Sequence, residues 1–221
     1  MTKEEVRRRI LEIRIVPVVR ASSASLAISA AQAIHAGGIP IVEVTMTVPG
    51  AINAIVELNR SLGKELLIGA GTVLDAETAK RCLDAGAEFL VSPGFDLETV
   101  RLANQEKKLM MAGGLTPTEV ITAWTANSDF VKVFPCGNVG GPSYIKALKA
   151  ALPEILMVPT GGVNLKTAAT FLEAGASALG IGGELVSSVA LERGDFAAIT
   201  DLARQFVQIV RIVNEPVRRV T

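Results

Sequence analysis

Eight short aliphatic segments recur along the 221-residue chain, and each is followed by an amphipathic stretch of helical length. Near-continuous apolar runs of this kind are typical of parallel strands that helices cover from the outside. The predicted strands span residues 14–20, 40–46, 66–73, 89–94, 108–115, 130–135, 155–163 and 178–185. Because no linker interrupts these repeated units, the pattern predicts an α/β fold, a (β/α)8 TIM barrel that forms a single domain over residues 1–221.

A doubly wound open sheet is the second architecture that alternating strands and helices allow. A dinucleotide-binding version of that sheet is disfavoured, because no Gly-x-Gly-x-x-Gly sequence follows the first predicted strand. The composition is 49% hydrophobic and only 4% aromatic, so a core of Val, Ile, Leu and Ala is expected. The last amphipathic stretch, residues 195–211, is predicted to be the eighth outer helix.

Three predicted helices end in short glycine-containing sequences just before the next strand, at residues 35–38, 84–87 and 173–176. Glycine is favoured there because the chain leaves a helix through a left-handed turn. His35, the only histidine, lies in the first of these sequences. We expect it near a helix C-terminus, where the helix dipole favours a positive side chain.

Charge and composition argue against several function classes. The chain has 22 basic and 22 acidic residues, so no net field favours a nucleic acid or an anionic membrane. One histidine and two cysteines, which we expect to be reduced, leave no histidine-rich metal site and no Ser-His-Asp triad. We therefore expect neither a metal nor another cofactor. Charged residues 3–9 stand where a signal peptide needs its apolar segment, which predicts a cytoplasmic protein with no membrane partner.

Lys132 and Glu43 are charged residues inside otherwise aliphatic strands, near the strand ends where barrel enzymes collect reactive groups. Burial disfavours the charged form of an amine, so a lysine in the barrel mouth can be a neutral nucleophile. The alternative is a lysine whose stem packs while its ammonium reaches water. Glu43 is either a general acid and base or a structural partner of Arg20 or Lys132. Because each charge needs a partner in an apolar interior, we expect the two side chains to lie together.

Two glycine pairs follow the seventh and eighth predicted strands, Gly161-Gly162 and Gly182-Gly183. TIM barrels often bind phosphate with backbone N–H groups in the loops after these two strands. Plain tight turns are the alternative explanation, and they would suffice for either pair alone. The joint position of the two pairs predicts a phosphate pocket.

Five segments in order, residues 40–46, 69–73, 91–94, 130–135 and 159–163, resemble the 2-keto-3-deoxy-6-phosphogluconate (KDPG) aldolase / 4-hydroxy-2-oxoglutarate (KHG) aldolase family. The resemblance runs from about residue 14 to about residue 203. It implies a homotrimeric, metal-independent class I aldolase, a lyase whose lysine forms a Schiff base with a 2-keto acid. The implied reaction splits KDPG into pyruvate and glyceraldehyde 3-phosphate.

The resemblance also implies roles for individual residues. Lys132 matches the Schiff-base lysine, and Glu43 matches the acid and base that moves protons through water and the substrate hydroxyl. The residues that match substrate contacts are Phe134 beside the lysine, Thr72, Pro93 and Thr160 around pyruvate, and Gly161, Gly162, Gly182 and Gly183 at the phosphate.

Two positions depart from the family pattern. Some members carry an arginine where this chain has Thr47, so recognition of the carboxylate or phosphate is expected to fall to Arg20. Glu184 stands where some members have serine, and a carboxylate beside phosphate repels it unless the side chain turns away. Both changes bear on the choice of substrate, and neither touches the lysine chemistry.

Two other functions stay open at this point. The same lysine could serve an unphosphorylated substrate, in a 4-hydroxy-2-oxoglutarate aldolase or an oxaloacetate decarboxylase. A catalytically silent barrel could instead bind a phosphorylated metabolite or serve as an assembly scaffold. Borohydride reduction with pyruvate separates the classes, because only a Schiff-base enzyme is trapped covalently at Lys132.

Overall fold

The computed structural model describes residues 1–215. Its strands are β1 (Ile15–Val19), β2 (Ile41–Thr45), β3 (Leu67–Gly71), β4 (Phe89–Val91), β5 (Leu109–Gly113), β6 (Phe130–Val133), β7 (Met157–Pro159) and β8 (Leu179–Ile181). Its helices are α1 (Lys3–Ile13), α2 (Ala24–Ala36), α3 (Ala51–Leu62), α4 (Ala76–Asp84), α5 (Leu97–Gln105), α6 (Pro117–Thr125), α7 (Pro142–Ala151), α8 (Ala168–Glu173), α9 (Ser188–Arg193) and α10 (Phe196–Asn214). A 3₁₀ helix spans Cys136–Val139.

The eight strands form one parallel sheet that closes into a barrel. Each strand from β1 to β6 pairs with the next in sequence, and β1 also pairs with β8. A parallel bridge between Thr160 and Gly180 joins the β7 and β8 sides and completes the ring. The predicted (β/α)8 barrel is therefore confirmed, each observed strand lies within its predicted range, and the open-sheet alternative is wrong.

Local sequence signals set several helix ends. Asp96 and Thr116 cap α5 and α6, each accepting a hydrogen bond from the backbone N–H three residues further on. Gly38, Gly86 and Gly175 follow α2, α4 and α8 with φ values of 92°, 98° and 100°. These left-handed turns are the ones that the glycine pattern predicts.

The helices after β8 differ in detail from the prediction. The short helix α9 precedes α10 and was not predicted, whereas α10 starts one residue later than predicted and continues to Asn214. It packs against α2 and α8 as an outer helix, as expected. His35 lies in the last turn of α2, the position expected for it. None of the helices within residues 1–215 is long and apolar enough to cross a membrane.

The barrel floor is the interior at the amino ends of the strands, and α1 lies across it. Val6 and Ile10 of α1 are fully buried there and belong to one apolar cluster with interior side chains of the strands, among them Leu67, Phe89, Leu109 and Phe130. Thr2 and Glu5 form a capping box that starts the helix. The sequence reasoning missed α1, although its position over the barrel seals the floor from water.

Candidate active site at the carboxyl ends of the strands

Lys132 on β6 and Glu43 on β2 meet inside the barrel. The Lys132 Nζ lies 3.7 Å from the Glu43 Oε1, and the two side chains are only 3% and 2% exposed. The structure thus brings both charges into one apolar interior, and the ammonium does not reach the outer surface. Arg20, the other partner considered for Glu43, is exposed at the end of β1.

Glu43 has an oxygen that the protein itself does not satisfy. Within residues 1–215, Oε1 is the one buried side-chain nitrogen or oxygen with no hydrogen-bond partner. Its 3.7 Å separation from Lys132 exceeds the length of about 2.8 Å that is typical of a charged hydrogen bond. An unpaired buried polar group costs about 1–3 kcal/mol, and more when it is charged. The geometry leaves this oxygen available to a water molecule or a substrate hydroxyl.

Phe134 lies next to Lys132, and Pro93 packs on the strand beside the lysine strand. The Lys132 Nζ is 5.8 Å from the centre of the Phe134 ring, within the range of a cation–π contact. Lys132 pairs in register with Gly113 of β5, and the backbone of Pro93 packs directly on Gly113. The Gly113 N–H also donates a 3.2 Å hydrogen bond to the Gly94 carbonyl. These contacts hold the loop after β4 against β5, the neighbour of the lysine strand.

The three threonines predicted as substrate contacts occupy different places. Thr160 is buried at the bridge that closes the barrel, with its side chain packed on Gly180. Thr72 follows β3 with a φ of 57°, a left-handed conformation that is strained for a β-branched residue. Thr47 is exposed beyond the end of β2, and its hydroxyl shares a 2.7 Å hydrogen bond with the Thr45 hydroxyl. Thr160 therefore faces the interior, whereas Thr47 lies further out.

The two glycine pairs stand at the ends of β7 and β8. Gly161 and Gly162 have φ values of 88° and 77°. Within residues 1–215, the backbone N–H groups of Gly161, Gly162, Gly182 and Gly183 donate no hydrogen bond to the chain. The Arg20 Nη1 lies 3.2 Å from the place that a Cβ on Gly182 would take. Free N–H groups beside a guanidinium are suited to binding an anion such as phosphate.

Two further residues lie beside the glycine pairs. The Gly137 N–H, in the 3₁₀ helix after β6, donates a 2.9 Å hydrogen bond to the Gly161 carbonyl. A Cβ on Gly137 would come within 2.9 Å of the Gly162 Cα, so the two loops approach as closely as backbones can. The sequence reasoning missed Gly137, for which the signal was a glycine just after the lysine strand. Glu184, which follows Gly183, is exposed.

The cysteines offer no second nucleophile. Cys82 and Cys136 are buried and unpaired. Burial raises the pKa of each thiol to about 11, so both are protonated at neutral pH. Among residues 1–215, no group of three or more His, Cys, Asp and Glu side chains could hold a metal ion. An amine and a carboxylate are therefore the reactive groups that the barrel interior presents.

Comparison with known proteins identifies the family to which this chain belongs. The model of the KDPG and KHG aldolase family matches residues 6–202. The 2-dehydro-3-deoxy-phosphogluconate aldolase of Treponema pallidum is 34% identical over 202 residues, which make up 91% of this chain and 95% of the relative. The KHG/KDPG aldolase of Escherichia coli K12 is 33% identical, over 88% of this chain and 91% of its own.

A solved structure agrees with these relatives. The KDPG aldolase of Legionella pneumophila, in which pyruvate was captured as a covalent carbinolamine intermediate, superimposes with a TM-score of 0.81 and 28% identity. The match covers 90% of this chain and 96% of that one. The resemblance drawn from five sequence segments is thus confirmed over most of the chain. This protein belongs to the KDPG and KHG aldolase family, whose members are carbon–carbon lyases.

Proposed function

We propose that this protein is a class I aldolase that cleaves KDPG to pyruvate and glyceraldehyde 3-phosphate through a Schiff base at Lys132. The observation that carries the proposal is the placement of the Lys132 Nζ 3.7 Å from the unpaired Glu43 Oε1, inside a barrel of this family. An amine and a carboxylate sheltered from water are the two groups that imine chemistry on a keto acid requires.

The reaction begins when the Lys132 ammonium releases a proton to water and the resulting neutral amine adds to the C2 ketone. The carbinolamine hydroxyl takes up a proton from water and leaves as water, and the protonated imine that forms withdraws electrons from the neighbouring carbons. Glu43 takes the proton of the C4 hydroxyl, the C3–C4 bond breaks, and its electron pair forms the enamine of pyruvate as the aldehyde leaves. Glu43 then returns a proton to C3, and water hydrolyses the protonated imine to release pyruvate and restore the Lys132 ammonium.

Residues around the pair position the keto acid. The hydroxyls of Thr72 and Thr160, with nearby backbone N–H groups, hold its carboxylate, while Phe134 and Pro93 confine the pyruvyl group beside the lysine. Thr47 supplies a hydroxyl at the outer rim rather than the charge of an arginine. Recognition of the acid therefore depends on hydrogen bonds more than on an ion pair at this position.

The phosphate of the substrate occupies the pocket between the glycine pairs. The free N–H groups of Gly161, Gly162, Gly182 and Gly183 support this assignment. Arg20, whose guanidinium lies over Gly182, adds a positive charge. Glu184 is exposed, so its carboxylate can turn away from the phosphate. Metal ions take no part in this scheme, because the protonated imine itself accepts the electrons.

Trapping the imine tests the lysine. Incubation with pyruvate and borohydride is expected to inactivate the protein and to leave a reduced pyruvyl group on Lys132, located by mass spectrometry of peptides. Lys146, a surface-side lysine on α7, serves as the internal control and should stay unmodified. A fully folded protein that is not labelled at Lys132 would be a silent barrel and would refute the proposal.

Comparing substrates tests the phosphate pocket. Cleavage of KDPG is expected to exceed that of unphosphorylated 4-hydroxy-2-oxoglutarate and the decarboxylation of oxaloacetate by orders of magnitude in kcat/KM, because only KDPG uses the glycine N–H groups. Pyruvate release, measured with a coupled dehydrogenase, reports all three reactions. Equal rates with phosphorylated and unphosphorylated substrates would leave the lysine chemistry intact and contradict the pocket.

The assembly is proposed to be a homotrimer that works in the cytoplasm. Membership of the family supports this assembly, and the apolar side chains of Leu74 and Val56, which stand 61% and 49% exposed, would gain free energy from burial under another subunit. Light scattering after gel filtration is expected to give three times the mass of the 23.2 kDa chain. A monomer at micromolar concentration would contradict this part of the proposal.

A further inference from the structure

We infer that Gly71 is a positioning residue. Because position 71 has no side chain, the Glu43 carboxylate can lie beside Lys132, where it accepts and returns the protons of the reaction. The inference rests on the proposed aldolase function, since it concerns the proton steps of that reaction. It assigns a role in catalysis to a residue of β3 that carries no functional group of its own.

The contact between Gly71 and Glu43 is direct. A Cβ built on Gly71 would stand 1.8 Å from the Glu43 Oε1, 2.4 Å from its Cδ and 2.5 Å from its Cγ. No Cβ tolerates such distances, and all three atoms belong to one side chain. The nearest of them is the same oxygen that faces Lys132 and has no hydrogen-bond partner. The space over Gly71 is therefore the space that the proton acceptor occupies.

Backbone conformation does not explain the glycine. Gly71 is in a regular strand, and its φ is not positive, so any residue could adopt its backbone. Its neighbour Ala70 carries a methyl group on the opposite face of the same strand and is fully buried there. What position 71 cannot accept is a side chain that points inward.

The Glu43 side chain could not move out of contact with a methyl group at position 71 without changing its position relative to Lys132. Its strand is held on both sides, because β2 pairs with β1 at Val18 and with β3 at Gly69 and Gly71. Glu43 is itself buried, so its carboxylate can yield only by turning within the interior. Any such turn changes its separation from Lys132 and from a substrate hydroxyl between them.

Gly69 provides a matched comparison two residues earlier. It also faces inward, but a Cβ there would meet the Phe89 ring, at 2.3 Å, and not a charged group. The two inward glycines of β3 therefore make room for different neighbours, one at the barrel floor and one at the reactive pair. Substituting each by alanine separates crowding in general from displacement of Glu43.

Gly71→Ala is expected to slow the proton steps without removing the nucleophile. We expect kcat to fall by about 100-fold, the size of a general acid–base contribution, with KM changed much less. Exchange of the pyruvate methyl hydrogens in heavy water, followed by NMR, should slow to the same extent. Borohydride should still trap pyruvate on Lys132. Gly69→Ala should lower the unfolding midpoint and leave kcat of the folded protein near the wild-type value.

A double variant tests whether the effect passes through Glu43. Glu43→Asp shortens the side chain by one methylene and draws the carboxylate back from position 71, so it should slow exchange when made alone. In Gly71→Ala/Glu43→Asp the methyl group occupies the vacated space, and exchange should be at least as fast as in Gly71→Ala. If Gly71→Ala does not fold, the double variant is expected to restore folding, because it removes the same overlap.

Three results would overturn the inference while leaving the proposed function standing. One is exchange in Gly71→Ala within about twofold of the wild type, the margin of independent sites. Another is a double variant whose exchange rate is lowered by the product of the two factors measured in the single variants. The third is failure of both Gly71→Ala and the double variant to fold. A wild-type protein that neither cleaves KDPG nor is trapped by pyruvate would instead refute the proposed function.

Discussion

The floor and the mouth of this barrel are built from opposite kinds of residue on the same strands. The floor is filled by large apolar side chains and closed by α1, whereas glycines open the interior at the mouth. Phe130 and Lys132 of β6 show the change within one strand, since both point inward. Within residues 1–215, the only buried charged side chains are Lys132 and Glu43.

Because of this difference, the floor of the barrel mainly stabilises the fold, whereas the mouth carries the reactive groups. Floor residues gain free energy from burial and leave no polar atom unpaired, whereas the mouth keeps an ion pair that is longer than a hydrogen bond and an oxygen without a partner. The packed floor can hold the strands rigid enough for the mouth to retain that arrangement. Substitutions at the two ends should therefore affect different measurements.

The largest expected effect follows from removing the amine at the mouth. Lys132→Met keeps the volume of the side chain but removes the nucleophile, so kcat should fall by roughly 10⁶-fold. It also leaves Glu43 as a buried charge without a counter-ion, which should cost about 3–5 kcal/mol of unfolding free energy. A coupled assay for pyruvate and a urea titration measure the two effects.

Lys132→Met/Glu43→Gln is the control for this prediction. The amide removes the unpaired charge, so stability should recover while activity stays absent. If Lys132→Met retained more than a small fraction of wild-type activity with KDPG, the nucleophile would have to be another group.

Glu43→Gln is expected to have the next largest effect. The amide has nearly the same shape but cannot accept the C4 hydroxyl proton, so kcat should fall by about 10²–10⁴-fold. Pyruvate and borohydride should still label Lys132, because that step needs only the amine. Steady-state kinetics and the labelling yield can be measured on one preparation. A kcat within tenfold of the wild type would assign the proton transfer to a different residue.

Ile10→Ala moves the change from the mouth to the floor. Truncating this fully buried side chain should cost about 2–5 kcal/mol of unfolding free energy and leave kcat unchanged at temperatures where the protein is folded. Leu11→Ala, on the next residue of α1 but 37% exposed, should cost less than about 0.5 kcal/mol. A loss of kcat in Ile10→Ala without a loss of stability would show that the two ends are not separate.

Glu184→Ser is expected to have the smallest effect. Removing an exposed negative charge near the phosphate pocket should lower KM for KDPG by about two- to fivefold, the scale of a surface charge interaction, and less at high salt. Glu173→Ser makes the same change in net charge at the end of α8, on the floor side, and should leave KM unchanged. Equal changes of KM in the two variants would show that KM responds to the net charge of the protein and not to a local repulsion between Glu184 and the phosphate.

The strands were predictable because their apolar runs are local. Predicted ranges were nevertheless longer than the observed strands, most clearly for residues 155–163, of which β7 uses only Met157–Pro159. Ile155 and Val163 are buried just outside the strand. Their apolar side chains therefore indicate that these positions are buried, but not that their backbone pairs with a neighbouring strand. Strand ends are set by hydrogen bonds to neighbouring strands, and those partners are distant in sequence.

α1 shows the opposite situation. Its sequence is mostly charged, and although Val6, Ile10 and Ile13 stand at helical spacing, this pattern covers only about two turns, while the capping box at Thr2 is a weak signal by itself. The helix is held by two side chains that reach the barrel floor. Short helices are marginal in water and depend on such packing, so tertiary contacts decide whether this segment forms one.

The sequence by itself determined the eight strands, the glycine-ended helices and the presence of single charges in two aliphatic strands. The tertiary structure decided that Lys132 and Glu43 meet, that one carboxylate oxygen stays unpaired, and that Gly71 makes room for it. The physical reason is the range of the interactions involved. Hydrophobic period and turn preference act within a few residues, whereas contacts across a barrel exist only once its strands have closed into a ring.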